Sequence, residues 1–203
     1  MTVDRRVERG LSTREVLLRS ARECFGEHGF AATTIDDVAE RAGVTKGALY
    51  HHFSDKEHLF RAVYEQLERE VSDRAVVHFL EADHWSALVS GCLLWVELHA
   101  DPWVRQIVLV DARGVLGWEA ARDIESRLST TALRGALRKA MHGGVIERRP
   151  LRPLSFMLIG ALSEACLYLG EASDKAEARA EVEALVTALL SGFRTDRGAT
   201  ATG

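Results

Sequence analysis

The sequence predicts an all-α protein: an N-terminal three-helix helix-turn-helix domain followed by a larger C-terminal helical domain. Three observations predict this. Apolar residues recur at three- and four-residue spacing over long stretches, the repeat that gathers side chains on one face of a helix. Cap signatures stand ahead of the N-terminal stripes. Proline is confined to Pro102, Pro150 and Pro153, each beside an expected helix boundary, where its missing N–H does least harm.

Residues 1–11 read as a basic arm. Ser12-Thr13-Arg14-Glu15 is a capping box, with the serine hydroxyl on a free N–H and the glutamate reaching back. Val16, Leu17, Ala21, Cys24 and Phe25 follow on one face, and Gly29 is expected to stop the helix in a left-handed turn, giving a first helix over about 13–28. Thr34-Ile35-Asp36-Asp37 opens a second helix at about 35–42, buried through Val38, Ala39 and Ala42. Thr45 caps a third over about 46–52, with Leu49 and Phe53 inward. Ser54-Asp55-Lys56-Glu57 reads as a further capping box, opening a long helix through Leu59, Phe60, Val63, Leu67 and Val71.

Beyond residue 85, where all four tryptophans lie, helices are expected over 85–100, 103–115, 118–142, 154–169 and 174–193. The breaks fall at Asp101-Pro102, around Gly114 and Gly117, at Gly143-Gly144, at Pro150 and Pro153, and at Gly170 to Ser173. The expected domains are 1–11, the arm; 12–58, helix-turn-helix; 59–194, the larger helical domain; and 195–203, a disordered tail.

Composition narrows the function. An apolar share of 47% suffices for a core. Cys24, Cys92 and Cys166 are odd in number and far apart, which points to core residues rather than a disulfide framework or a zinc site. His78, His84 and His99 are the nearest histidine set and lack metal-ligand spacing, so neither metal nor cofactor is expected. No signal-peptide core or long apolar run is present, so a cytoplasmic protein without a membrane partner is expected. Enzyme chemistry is not expected either, because phosphate loops and nucleophile motifs are missing.

Charge speaks against bulk attraction to nucleic acid, with a net charge of −4. Six arginines face three acids from Met1 to Arg22, but seven acids face three cations from Glu23 to Phe60. DNA binding then has to rest on a few placed cations and on helix N-termini.

The second and third helices are joined by Ala42-Gly43-Val44. Glycine admits the positive φ of a sharp turn, and this arrangement delivers the N-terminal end of the third helix to a major groove. Lys46 suits guanine O6 and N7 or a phosphate, Gly47 and Ala48 admit close approach, and Tyr50, His51 and His52 add donors. Lys56 falls in the first turn of the fourth helix, where a cation opposes the dipole and a bound phosphate would relieve the conflict. Asp36 and Asp37 are expected to be capping groups turned away from phosphate.

The stretch from Thr33 to Glu57, TTIDDVAERAGVTKGALYHHFSDKE, resembles the DNA-binding signature of the TetR family of bacterial transcriptional regulators, without gaps from about Arg14 to Phe60. The resemblance implies DNA contacts from Thr34, Thr45, Lys46, Gly47, Tyr50, His51 and Lys56. His52 stands where relatives often carry another aromatic. It also implies a homodimeric repressor of a palindromic operator, with a small-molecule pocket in the C-terminal domain. Leu158, Ala161, Leu162, Ala165 and Leu169 on one helix, with Val182, Leu185, Val186, Leu189 and Phe193 on the last, would form the dimer's four-helix interface. An ordinary core within one subunit is the competing reading of the same stripes.

No motif identifies the effector. Trp85, Trp95, His99, Trp103, Trp118, Phe156 and Tyr168 are the candidate lining of an aromatic pocket, which favours a hydrophobic effector. Asp111, Arg113 and Glu164 are polar residues in apolar helical surroundings, placed to pair with one another or to orient a ligand. The alternative function is a helical ligand-binding or interaction module without specific DNA binding.

Overall fold

A computed structural model of the protein describes residues 12–78 and 83–195. The expected basic arm and residues 196–203 of the tail lie outside the described residues. The elements are α1 (Thr13–Ala32), α2 (Ile35–Ala42), α3 (Lys46–His52), α4 (Lys56–His78), α5 (His84–Ala100), α6 (Pro102–Arg105), a π-helical turn (Gln106–Asp111), α7 (Ala112–Leu116), α8 (Trp118–Arg127), α9 (Ser129–His142), α10 (Leu151–Glu171) and α11 (Lys175–Ser191). Strands are absent among the described residues apart from one isolated bridge, Ile146 to Arg194.

The chain packs as two compact units: residues up to Leu67 with Trp103–Ala121, and Glu68–Pro102 with the chain from Arg122 on. This division departs from a cut after residue 58. Leu59, Phe60, Val63 and Tyr64 of α4 are buried in the first unit, and the segment from Trp103 returns to it.

In the first unit Phe25, Phe30 and Phe60 form an aromatic cluster, with Phe60 edge-on to both partners at 5.2 Å. Gly29 shapes it. The residue has φ 75° and ψ 168°, so it kinks α1 rather than stopping it in a left-handed turn, and helical structure resumes to Ala32. The N–H of Phe30 bonds to the Asp111 carboxylate at 2.8 Å. A Cβ at Gly29 would stand 3.2 Å from Gln106 Nε2 and 3.4 Å from Asp111 Oδ2. Residues 106 and 111 both face this point because π winding bonds i to i+5 and turns residues five apart toward one side. The expected plain helix over 103–115 is interrupted for that contact. Asp111, expected to pair with Arg113 or Glu164 or to orient a ligand, is a structural clamp on the end of α1.

The second unit gathers α5, α9, α10 and α11. Its expected helix over 118–142 is two helices, broken at Leu128 with φ −103° and ψ −95°. Thr131 Oγ1 donates to the carbonyls of Ser126 and Arg127, both at 3.1 Å, and Arg134 donates to Ser126 O. The run Ser129-Thr130-Thr131 supplies hydroxyls that compete with the helical backbone. α10 begins at Leu151, earlier than expected, with Pro153 in its first turn, where no intrahelical partner is lost. α10 is long and apolar enough, by length and composition, to cross a membrane; it lies mid-chain with one face buried in this unit. Thr195, the first residue of the expected frayed tail, is held in place: its N–H bonds to Val145 O at 3.1 Å and its hydroxyl to Gly144 O at 2.6 Å.

Gly26 leaves room for Trp103: a Cβ there would stand 2.5 Å from Trp103 Cβ. Gly135 in α9 has open space instead. Gly26→Ala is therefore expected to destabilise by about 1–3 kcal/mol through overpacking, against the helix-propensity gain of up to about 1 kcal/mol expected at Gly135→Ala. Paired urea melts check the opposite signs.

Candidate nucleic-acid interface

The helix-turn-helix is built from three local devices. Thr34 Oγ1 accepts the Asp37 N–H at 3.1 Å, and the Asp37 carboxylate takes the Thr34 N–H at 2.8 Å. These bonds hold the Asp37 carboxyl below its ordinary pKa. α2 then closes at Gly43, left-handed at φ 68° and ψ 29°. The Gly43 N–H bonds to Glu40 O and the Val44 N–H to Ala39 O, both at 3.0 Å, a Schellman closure. A Cβ at Gly43 would meet nothing within 4 Å, so backbone conformation alone asks for glycine. Finally, Thr45 Oγ1 accepts the Ala48 N–H at 3.2 Å and opens α3.

Leu49 and Phe53 anchor α3 in the core. Its other side is open: Lys46, Gly47, Tyr50 and His51 are exposed, as are the two capping threonines, Thr34 and Thr45. Each threonine hydroxyl still has its own O–H to donate. His52 is half-buried, with its ring 5.4 Å from His51.

Lys46 is not a free cation. Its Nζ lies 2.9 and 3.0 Å from the two carboxylate oxygens of Asp36, which raises the lysine pKa. Asp36 therefore departs from the capping role expected for it, which only Asp37 fills. The two residues are ten apart, and only the fold of α2 against α3 joins them.

Lys56 resolves its dipole conflict without a phosphate. Its ammonium turns to the C-terminal end of α1, donating to Phe30 O at 2.8 Å and Thr33 O at 2.9 Å, over the Phe30 ring at 4.2 Å. One of its three N–H donors remains for another acceptor. The capping box expected from Ser54 and Glu57 is shifted by one residue. Asp55 caps α4 by accepting the His58 N–H at 2.7 Å, and His58 Nδ1 takes the Ser54 N–H at 3.2 Å.

Arg41, to which no local motif gives a role, bonds to Glu27 at 2.7 Å and approaches Glu23 at 3.6 Å, bracing α2 on α1. Together with the caps at Asp37 and Asp55, these pairs give several of the acids from Glu23 onward a local partner.

The aromatic set expected around an effector does not form one cluster. Trp103 and Trp118 belong to the first unit, where Trp103 packs on Gly26 and Trp118 lies under the Arg113 guanidinium at 4.7 Å. In the second unit Trp85 is covered by Arg194 at 4.6 Å and Phe156 by Arg122 at 3.9 Å. Tyr168 is exposed and bonds to Glu181 at 2.6 Å. Trp95 and His99 alone of the seven are buried, and they stack at 3.7 Å. Apolar residue type could not separate these fates, because an arginine-covered surface indole and a core indole look alike in a sequence.

The expected dimer stripe also divides. Leu158, Leu162, Leu169, Val182 and Val186 are buried in the second unit's own core. Ala161, Leu185 and Leu189 are exposed, and Ala165 and Phe193 half-buried. α10 has two apolar faces, which apolar spacing alone does not separate. On the outer face, Ala161, Ala165 and Tyr168 meet Leu185 and Leu189 of α11 along an open groove of about 730 Å³, and Met157 is exposed one turn before Ala161. Leu185 is 68% exposed and Met157 71%, unusual values for such large apolar side chains.

Comparison with known proteins gives two family matches along the chain, the second of which runs through the segment Trp103–Ala121 that packs in the first unit. Residues 17–63 match the family model described as bacterial regulatory proteins, tetR family, and residues 85–193 match that of the tetracyclin repressor-like C-terminal domain. The chain is similar to the Transposon Tn10 TetC protein of Escherichia coli, 25% identical over 90% of this chain and 93% of that one. It also resembles the HTH-type transcriptional repressor AcnR of Corynebacterium diphtheriae, 48% identical over 50 residues, about a quarter of each chain. A solved TetR-family transcriptional regulator from Pectobacterium atrosepticum is 33% identical, with TM-score 0.77 over 91% of this chain and 95% of that one.

His99 makes stability depend on pH. Burial pushes its pKa down to about 4, whereas the unfolded imidazole takes its proton near 6.5. Stability from this residue is full above about pH 6.5 and is lost toward pH 4, by up to about 1.4 kcal/mol per pH unit. His99→Phe, which keeps an aromatic ring there, is expected to flatten the loss between about pH 6.5 and 5; denaturant melts across that range check it.

Proposed function

The chain belongs to the TetR family of bacterial regulatory proteins, and from that premise we propose that it acts in the cytoplasm as a homodimeric repressor of a palindromic operator, released by a small hydrophobic effector. That it is a DNA-binding transcriptional regulator follows from the family and from its repressor relatives; members of the family are generally non-enzymatic. The observation that carries the proposal is the exposed N-terminal half of α3, capped by Thr45 and held off α2 by the Gly43 turn.

Lys46 reads a base in this proposal. Asp36 offsets its charge, so a phosphate attracts it less, while a guanine edge can still use its remaining N–H. Tyr50 and His51 add contacts on the same face. Thr34 and Thr45 give their hydroxyl protons to phosphates. Lys56 spends one N–H on a phosphate while its other two hold the end of α1.

The groove between α10 and α11 supports dimerisation. Large apolar side chains exposed as one patch mark an interaction surface, and a second copy would cover Met157, Ala161, Leu185 and Leu189 by meeting the same face. Two copies also bring two recognition helices, which suits half-sites about one DNA turn apart.

Gel shifts against the promoter beside its own gene test the DNA reading; no salt-sensitive, sequence-specific binding would favour a module without DNA function. Lys46→Ala is expected to cost about 1–3 kcal/mol and relax specificity at one position of each half-site. Lys56→Ala should weaken all sequences alike, lower the salt slope by about 1 per half-site, and reduce the melting temperature, because two carbonyls lose their charged donor. Leu185→Glu is expected to leave the fold intact, since its side chain is 68% exposed, and to turn dimer into monomer in sedimentation.

A further inference from the structure

Among the described residues, two buried polar atoms without hydrogen-bond partners stand close together on α5 in the core of the second unit. Trp95 and His99 stand one turn apart on α5, 5% and 0% exposed. Their rings stack at 3.7 Å with 23° between planes. His99 Nδ1 lies 2.9 Å from the Trp95 carbonyl oxygen. A carbonyl only accepts, so Nδ1 carries the proton and Nε2 offers a lone pair. Trp95 Nε1–H is a donor. Neither Nε1 nor Nε2 has a hydrogen-bond partner among the described residues. Native interiors rarely leave such groups unmatched.

Trp95, though not His99, lines a cavity of about 10 Å³ with Cys92, Ser129, Leu133, Ile159 and Leu162, room for about one water; His99 adjoins it through the stacked Trp95 ring. None of its walls is charged, and His99 is itself neutral at ordinary pH.

We propose that this site binds a small uncharged hydroxyl compound, an alcohol or a phenol, whose single oxygen accepts from Trp95 Nε1–H and donates to His99 Nε2. The inference rests on the effector reading above and narrows it to a chemical class. A hydrocarbon leaves both atoms unmatched. A ketone or ether satisfies the indole but leaves the imidazole lone pair bare. A carboxylate brings a charge that no wall pairs, at high desolvation cost. A hydroxyl is the smallest group that serves both.

The cavity must widen to admit anything larger than water. Its wall includes Ile159 and Leu162 of α10, and the same helix carries Ala161 and Ala165 on the outer groove. Occupancy would therefore shift α10, the element proposed to meet the second copy. A ligand that binds the widened state better draws the population toward it.

Calorimetric titration of the full-length protein with phenol, toluene and benzoate tests the site. Phenol is expected to bind at least about 10-fold more tightly than either of the others, the discrimination of one buried hydrogen-bonded group. His99→Phe should abolish that preference and leave toluene binding unchanged. Trp95→Phe should do the same from the donor side, so one misfolded variant does not end the test. Equal or tighter binding of toluene, a preference that survives both variants, or no binding of any probe would overturn the site. So would crystals grown with phenol that hold only an ordered water between Nε1 and Nε2. Phenol binding that leaves operator affinity unchanged would keep the site and remove the effector reading; operator release by another compound without phenol binding would do the reverse.

Discussion

The N–H of Phe30 is released from the α1 ladder by the kink at Gly29 and captured by the carboxylate of Asp111, 81 residues away. A buried or half-buried amide has to be paired, and this pairing commits the π turn, and with it the whole segment from Trp103, to the end of α1. The aromatic cluster of Phe25, Phe30 and Phe60 closes over the same point. Lys56 then ties α4 to the carbonyls just beyond the kink. The helix-turn-helix sits on this frame: α2 is braced to α1 by Arg41, and α3 is pinned through Leu49 and Phe53.

Electrostatics in the N-terminal unit is local. Acids outnumber bases from Glu23 to Phe60, yet several of those acids are spent on caps and ion pairs. Asp37 and Asp55 accept backbone N–H groups, and Glu27 and Asp36 pair with Arg41 and Lys46. Exposed pairs of this kind add little stability. In the proposed recognition their consequence is larger, since a lysine partly neutralised by a neighbour is a weaker phosphate ligand and depends more on hydrogen-bond geometry. An acidic chain can still bind DNA if discrimination rests on such placed groups rather than on the field of the whole surface.

The second unit turns on the two faces of α10. One face, with Leu158, Leu162 and Leu169, closes the core with α5. The other, with Met157, Ala161 and Tyr168, stays open beside α11. A helix apolar on both sides can report on its interior to its exterior, because close-packed side chains do not absorb a displaced wall. The unmatched Trp95 and His99 lie on the inner side of that arrangement, on α5.

The sequence by itself determined what neighbouring residues encode. The Ser12, Thr34 and Thr45 caps, the Gly43 turn and the extents of α2 and α3 all rest on interactions within about one helical turn. The dense signature from Thr33 to Glu57 made the family legible for the same reason. Tertiary structure decided everything set by distant partners: Asp36 for Lys46, the end of α1 for Lys56, Phe30 for Asp111. It decided which tryptophans are core and which lie under arginines, and which half of the α10 stripe is open. Periodicity reports that a side chain is apolar and which side of its helix it occupies; what stands opposite is a property of the packed chain.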